Sequence, residues 1–149
     1  MSFFFTRAKI NYMQSSAVIL TKNNEKTIRE LIESLSFCDE VIVIDDESVD
    51  ATGDVAKKAG ARVFSRRLNN DFSAQRNFGL EKAKGEWVLF VDSDEVVSKE
   101  LGEEIKRVVS SKEIGGSGFY IRRVDHMWGR VLKYGETGNI RFVRLARKD

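Results

Sequence analysis

One stretch limits the possible folds more than any other: Glu86-Trp87-Val88-Leu89-Phe90-Val91-Asp92-Ser93-Asp94-Glu95. An apolar run of strand-forming residues ends there in three carboxylates within four positions. Residues 88–91 show no period-2 alternation, so the strand they predict is covered on both faces, as in a parallel sheet. In open α/β sheets ligands gather at the carboxyl ends of strands, which is where Asp92 and Asp94 fall. Two carboxylates one residue apart repel each other unless a cation or hydrogen-bond donors compensate. Hard divalent ions are often held by one or two carboxylates completed by substrate phosphates. The pattern fits a metal–diphosphate site, and Asp-x-Asp alone fits an acidic turn capping the next helix equally well.

The flanking sequence repeats the arrangement. Ala17-Val18-Ile19-Leu20-Thr21 predicts a short strand, followed by a helix that Asn23 or Asn24 can cap, with Ile28, Leu31, Ile32 and Leu35 at helical spacing. Val41-Ile42-Val43-Ile44 predicts a second buried strand ending in Asp45-Asp46-Glu47-Ser48. Asp50 or Thr52 would cap a short helix through Val55, Ala56 and Ala59, stopped by Gly60 at C′. A third strand, Ala61-Arg62-Val63-Phe64, leads through a polar loop at 65–71 to a helix over 72–84. After the organising strand, Ser98 caps a helix with Leu101, Ile105, Val108 and Val109 on one face. Strands alternating with helices predict a parallel sheet with right-handed crossovers. Beyond Gly115-Gly116 the pattern changes: residues 119–124 and 140–145 read as strands with no crossover helix between them, hence antiparallel additions to the sheet.

Composition narrows the class. The 149 residues suffice for one domain with a real core, and the net charge of +2 says little about partners. A single cysteine, Cys38, excludes an intrachain disulfide and fits a reducing compartment, while the single His126 excludes a histidine-based metal cluster within one chain. No apolar run approaches the about 20 residues of a membrane span, and the start of the chain has no export-signal pattern. Residues 1–13 read as an N-terminal extension, disordered, docked or the product of a start assigned too early. Residues 14–149 read as the domain. The tail is locally basic, with Arg122, Arg123, Arg130, Lys133, Arg141, Arg144, Arg147 and Lys148 against Asp125, Glu136 and Asp149. Such a surface is a solvated face or a receiver of anionic acceptors or membrane headgroups. Its residues are not interleaved with a stacking platform, so nucleic-acid binding has little support.

Three acidic or polar clusters thus end strands that share one sheet edge: Thr21-Lys22-Asn23-Asn24-Glu25, Asp45-Asp46-Glu47-Ser48 and Asp92-Ser93-Asp94-Glu95. With Val49-Asp50-Ala51-Thr52 and Gln75-Arg76-Asn77-Phe78-Gly79-Leu80 between them, their order and spacing over about residues 16–110 resemble the family 2 glycosyltransferases of the GT-A fold. The tail, with Gly129-Arg130 and Arg141-Phe142-Val143-Arg144-Leu145, is similar to the branch that adds sugars to the lipopolysaccharide core. The resemblance implies a nucleoside diphosphate sugar, a UDP-sugar first among them, and a glycan or glycolipid acceptor. It implies that Asp46 accepts a hydrogen bond from the base and that Thr21, Asn23 and Glu25 line the nucleoside pocket. By the same resemblance Asp92 lies near the ribose, Asp94 ligates Mg²⁺ or Mn²⁺, and Arg76 places its planar donor fork near the diphosphate. The expected setting is cytoplasmic, with peripheral contact at the inner face of the cell membrane as one option.

The resemblance also exposes a gap. The family inverts the anomeric centre, so a carboxylate should take the acceptor's proton. The lipopolysaccharide branch would supply a His-Glu pair downstream of the Arg-Leu strand, and the expectation is that this chain is C-terminally short of it. Asp125, His126 and Glu136 are the remaining candidates. A non-catalytic nucleotide-sugar-binding remnant is therefore the rival reading. A receiver domain fails because a strand and helix precede Asp45-Asp46, and an aspartate-nucleophile phosphatase fails because Gly-Thr does not follow Asp92-Ser93-Asp94.

Overall fold

The computed structural model describes residues 14–111, 115–122, 124, 126–127, 130–131 and 141–148, with backbone alone at 126–127, 130–131 and 141–142. The element order is β1 (Ser15–Thr21), α1 (Ile28–Ser34), β2 (Glu40–Asp45), α2 (Thr52–Lys58), β3 (Arg62–Ser65), α3 (Phe72–Lys82), β4 (Trp87–Asp92), α4 (Lys99–Ser110), β5 (Gly118–Arg122), β6 (His126–Met127), β7 (Arg130–Val131) and β8 (Arg141–Arg147). Among the described residues β6 and β7 pair separately, and six strands form one sheet in the order β3-β2-β1-β4-β8-β5. The first four of these in sheet order are parallel. β8 runs antiparallel to both β4 and β5, as the loss of crossover helices after Gly116 predicts.

The missing alternation in the strands has a direct cause: both faces are covered. Ala17 and Ile19 of β1, Val43 of β2, and Leu89 and Val91 of β4 pack against Ile28, Leu31 and Ile32 of α1, Ala56 of α2 and Ile105 of α4. On the other face Val18, Ile42, Ile44 and Val88 pack with Phe78 and Leu80 of α3. Each such side chain taken from water contributes about 1.5–3 kcal/mol. α3 approaches the sheet closely at Gly79, where an added Cβ would stand 2.4 Å from Cγ1 of Val18.

The helix ends depart in part from expectation. Ser98 caps α4, accepting from the Leu101 N–H at 3.2 Å, and Gly60 follows α2 at φ +95°. Neither Asn23 nor Asn24 is the cap of α1: that position is Thr27, without a side-chain cap bond. The Asn24 side chain is drawn instead to Thr21, Lys22 and Ser93. At α2 the cap position is Ala51, although Asp50 accepts from the Thr52 N–H at 3.0 Å. α3 is capped by Asp71 and stops at Lys82 rather than Lys84. Its end is set by Glu40, whose Oε1 accepts from the Lys84 N–H at 2.6 Å and from the Ser16 hydroxyl at 2.7 Å.

That carboxylate anchors the amino edge of the sheet. Arg62 donates to its Oε2 at 2.6 Å, and the Gly85 N–H donates to the Ser16 hydroxyl at 2.8 Å. Burial alone would raise the Glu40 pKa, but the bonds from Lys84, Ser16 and Arg62 outweigh it and hold the carboxyl below its ordinary 4.5.

Candidate functional site

The strand ends at the carboxyl edge are level. Thr21 stands in register with Asp45, and Leu20 with Asp92. The loops that follow β1 and β2 are bonded along their length. The Asn23 N–H donates to the Ser48 hydroxyl at 2.8 Å, and the Asn23 carbonyl oxygen Oδ1 accepts from the Val49 N–H at 2.9 Å. Next along, the Asn24 N–H donates to Thr52 Oγ1 at 2.7 Å, and Glu25 Oε2 accepts from the Ala51 N–H at 3.0 Å. Asn23 and Glu47 reach these positions at φ +53° and +48°, where Asn is among the better tolerated non-glycine residues. Asn23 and Glu25, expected from the resemblance to line the nucleoside pocket, are both bonded to the loop after β2. The buried Thr21 accepts from Asn24 Nδ2 at 3.0 Å through its hydroxyl and from the Asp46 N–H at 2.9 Å through its carbonyl.

Asp46 faces outward at the mouth of a cleft of about 420 Å³ lined by Lys22, Arg67, Leu68, Asn69 and Asn70. Its Oδ2 meets the Lys22 ammonium at 2.8 Å, and its Oδ1 accepts from the Leu68 N–H at 2.7 Å. Lys22 first, and the Leu68 N–H after it, hold this carboxyl below the usual carboxylate range. Asp45 is buried instead and accepts from the Ser48 hydroxyl and N–H.

The Gln-Arg-Asn-x-x-Gly pattern on α3 divides by role. Gln75, 1% exposed, donates to the Arg66 carbonyl at 2.6 Å and fixes the loop before the helix. Gly79 permits the close approach to β1. Arg76 reaches the edge, with Nη2 3.6 Å from Asp92 Oδ1.

Asp92 also meets Arg144 of β8, whose Nη2 lies 2.9 Å from Asp92 Oδ2 and 2.9 Å from Glu95 Oε1. Asn24 Nδ2 donates to the Ser93 hydroxyl at 2.9 Å, joining the β1 loop to the β4 turn. Asp94 is exposed, and among the described residues no hydrogen bond or ion pair engages its carboxylate. It borders a second cleft of about 580 Å³, shared with Val91, Glu95, Ile121, Arg122 and Arg144. Among the described residues no three His, Cys, Asp or Glu side chains could hold a metal by themselves. The oxygen donors present fit a hard cation that draws further ligands from a phosphate-bearing substrate.

The basic tail is partly engaged within the molecule. Arg147 pairs with Glu86 at 2.6 Å and lies over the Trp87 ring, Lys148 donates to the Ala83 carbonyl at 2.7 Å, and Arg144 binds as above. The candidate bases Asp125 and Glu136 lie outside the described residues, as do residues 1–13 and the side chain of His126. The sequence places Lys22, Asn24 and Glu95 in the clusters of this edge but gives Lys22 and Glu95 no role of their own, and it places Arg144 only in the basic tail and its Arg141-Phe142-Val143-Arg144-Leu145 motif. Glu95 directly follows Asp92-Ser93-Asp94, which was the available signal for it. Nothing local marked Arg144, because its contacts lie 49 and 52 residues away.

Known proteins share this fold. The model of the family described as Glycosyl transferase family 2 matches residues 16–147. An uncharacterized glycosyltransferase of Rickettsia bellii is 39% identical over 98 residues, 65% of this chain and 33% of its own length. The poly(ribitol-phosphate) beta-N-acetylglucosaminyltransferase TarS of Staphylococcus aureus is 38% identical over 99 residues, 59% of this chain and 17% of TarS. The crystal structure of S. aureus TarS 1-349 superposes with a TM-score of 0.60 at 26% identity, covering 91% of this chain and 47% of that one. The chain spans about a third of the length of the Rickettsia relatives.

Proposed function

The chain belongs to glycosyl transferase family 2 and has a GT-A-like α/β fold, and on that premise we propose that its carboxyl edge binds a nucleoside diphosphate sugar, uridine being the favoured nucleoside, for transfer of the sugar to an acceptor hydroxyl. The observation that carries the reading is the order of groups along the edge. Asp46 stands at one cleft, Arg76 and Asp92 at the middle, and Asp94 at the mouth of the second cleft.

A donor laid along that line puts its base at Asp46, its ribose near Asp92, its diphosphate within reach of Arg76 and its sugar over the second cleft. A carboxylate has about four lone-pair sites, so Asp46 can accept from a uracil imide while keeping Lys22 and Leu68. Thr21, Asn23 and Glu25 contribute by fixing the loops that frame this cleft. Asp94 would hold Mg²⁺ or Mn²⁺ together with the donor's phosphates. The bound cation supplies neutralisation of the negative charge that develops on the leaving diphosphate. Arg76 adds a fixed positive group on the same side.

We assign the reaction as inverting, with Asp125 or Glu136 as the carboxylate that takes the acceptor's proton. Substituting each in turn, with donor binding and transfer measured separately, tells them apart. The acceptor class we propose is a cell-surface glycan or glycolipid, lipopolysaccharide included, met at the cytoplasmic face of the membrane. Support comes from the tail sequence and from TarS, whose name gives poly(ribitol-phosphate) as its acceptor. Among the described residues no helix is long and apolar enough to cross a membrane.

Thermal unfolding against a panel of nucleoside diphosphates, with and without Mn²⁺, tests the donor reading without knowledge of the acceptor. A ligand at 100 times its dissociation constant stabilises by about 2.7 kcal/mol. UDP with Mn²⁺ should raise the midpoint of the wild-type chain, and Asp94→Ala should abolish the Mn²⁺-dependent part while unfolding normally without ligand. An Asp94→Ala response equal to wild type removes Asp94 from the metal site.

A further inference from the structure

The register of β8 singles out one residue. Gly118 pairs with Ala146 and Phe119 with Leu145, but Tyr120 then pairs with Val143, so Arg144 is the extra residue of a bulge in β8. On the other side β8 pairs with β4 only as far as Leu89 and Leu145. Beyond that point Phe90 and Val91 of β4 and Ile121 of β5 line the second cleft, together with Arg144 itself. A bulge bends its strand and re-aims a side chain. Here the re-aimed guanidinium reaches the turn that carries the acidic motif.

That turn is closed on itself. The Asp92 N–H donates to Glu95 Oε2 at 3.0 Å, and the Glu95 N–H donates to the Asp92 carbonyl at 3.0 Å. Nη2 of Arg144 then joins the Asp92 and Glu95 carboxylates, each at 2.9 Å. Its side chain is 13% exposed, so solvent screens this contact less than a surface pair. Without Arg144 the Asp92 and Glu95 carboxylates would repel across the turn, with only the longer Arg76 contact left on Asp92, and the backbone that carries Asp94 would lose this constraint.

We infer that Arg144 is a positioning residue: it holds the Asp92–Glu95 turn in the conformation that presents Asp94, acting through Asp92 and Glu95. The inference rests on the donor-site reading for the use of that turn, whereas the turn's conformation is measurable without any donor.

Amide hydrogen exchange on the ligand-free 149-residue chain is the first test. Arg144→Gln should exchange the Asp92 and Glu95 amides about tenfold faster, with β1 and β2 amides unchanged. Arg144→Lys, which keeps the charge, should restore most of the protection. UDP with Mn²⁺ should bind Arg144→Gln about tenfold more weakly than wild type. In a Glu95→Gln background the same substitution should add little. Unchanged exchange at Asp92 and Glu95, or full additivity with Glu95→Gln, overturns the inference. So does collapse of the whole fold in Arg144→Gln without rescue by Arg144→Lys, because the role would then be global. If the wild-type chain does not respond to UDP and Mn²⁺ the donor reading falls, and the exchange result alone decides whether Arg144 sets the turn.

Discussion

The adjacent aspartates part where β2 ends, Asp45 being its last residue and Asp46 the next. Asp45 turns in and accepts from Ser48, while Asp46 turns out to Lys22 and the cleft. A hydrogen bond to a charged acceptor contributes about 1.5–3 kcal/mol, so Asp46→Asn should weaken uridine nucleotide binding roughly tenfold or more. Titration calorimetry reads this directly, and unchanged affinity would remove Asp46 from the base site. Glu40 supplies a test of pH dependence. Its pKa is lowered in the folded chain, so its stabilisation is complete above the ordinary value of 4.5 and is lost as pH falls through the folded value. Glu40→Gln should thus destabilise the protein at pH 7, by about 1–3 kcal/mol from the weakened bonds to Arg62 and Lys84. The gap from wild type should close in acid below about pH 4.5, and urea unfolding across that range measures it. A gap that widens in acid contradicts the assignment.

At the scale of elements, α3 shows how a motif can mix structural and functional positions. Gly79→Ala places a methyl 2.4 Å from Val18 Cγ1, an overpacking expected to cost about 1–3 kcal/mol. Adding Val18→Ala should return part of that loss, and thermal unfolding of the single and double variants checks the coupling. Strictly additive losses would mean that the helix does not lean on β1 there. The same element marks the limit of what could be read in the chain. The β-α alternation, the parallel order, the antiparallel tail and the convergence of three loops were legible because hydrophobic runs and their polar ends are local signals. The caps of α1 and α2 were not, since Asn24 bonds Ser93, 69 residues away, and Glu25 bonds Ala51, 26 away. A capping residue type shows that a backbone group can be satisfied; tertiary packing decides which one. The bulge at Arg144 was hidden for the same reason, because register between β5 and β8 has no signature in either strand alone.

Among the described residues the sheet has a polar amino edge and a polar carboxyl edge with a buried apolar stretch between them. The amino edge is closed by Ser16, Asp39, Glu40, Arg62 and Gly85 bonding one another and the backbone. Asp46, Arg76, Asp92 and Asp94 line the carboxyl edge, beside two clefts. Between them Val18, Ile19, Ile42, Val43, Ile44 and Val88 are 0–1% exposed, a closely packed core that separates the two edges. Ligand at one edge should therefore order that edge and leave the other as it was. Saturating UDP with Mn²⁺ should slow amide exchange in residues 22–25, 46–51, 66–71 and 92–98. It should leave the amides of Ser16, Lys84 and Gly85 at their ligand-free rates, once the common gain in global stability is subtracted. Protection confined to 46–51 and 66–71 would mean that the nucleoside cleft binds while the Asp92–Asp94 turn does not. Local protection at the amino edge instead would move the ligand to the opposite side of the sheet, away from every residue assigned to the donor.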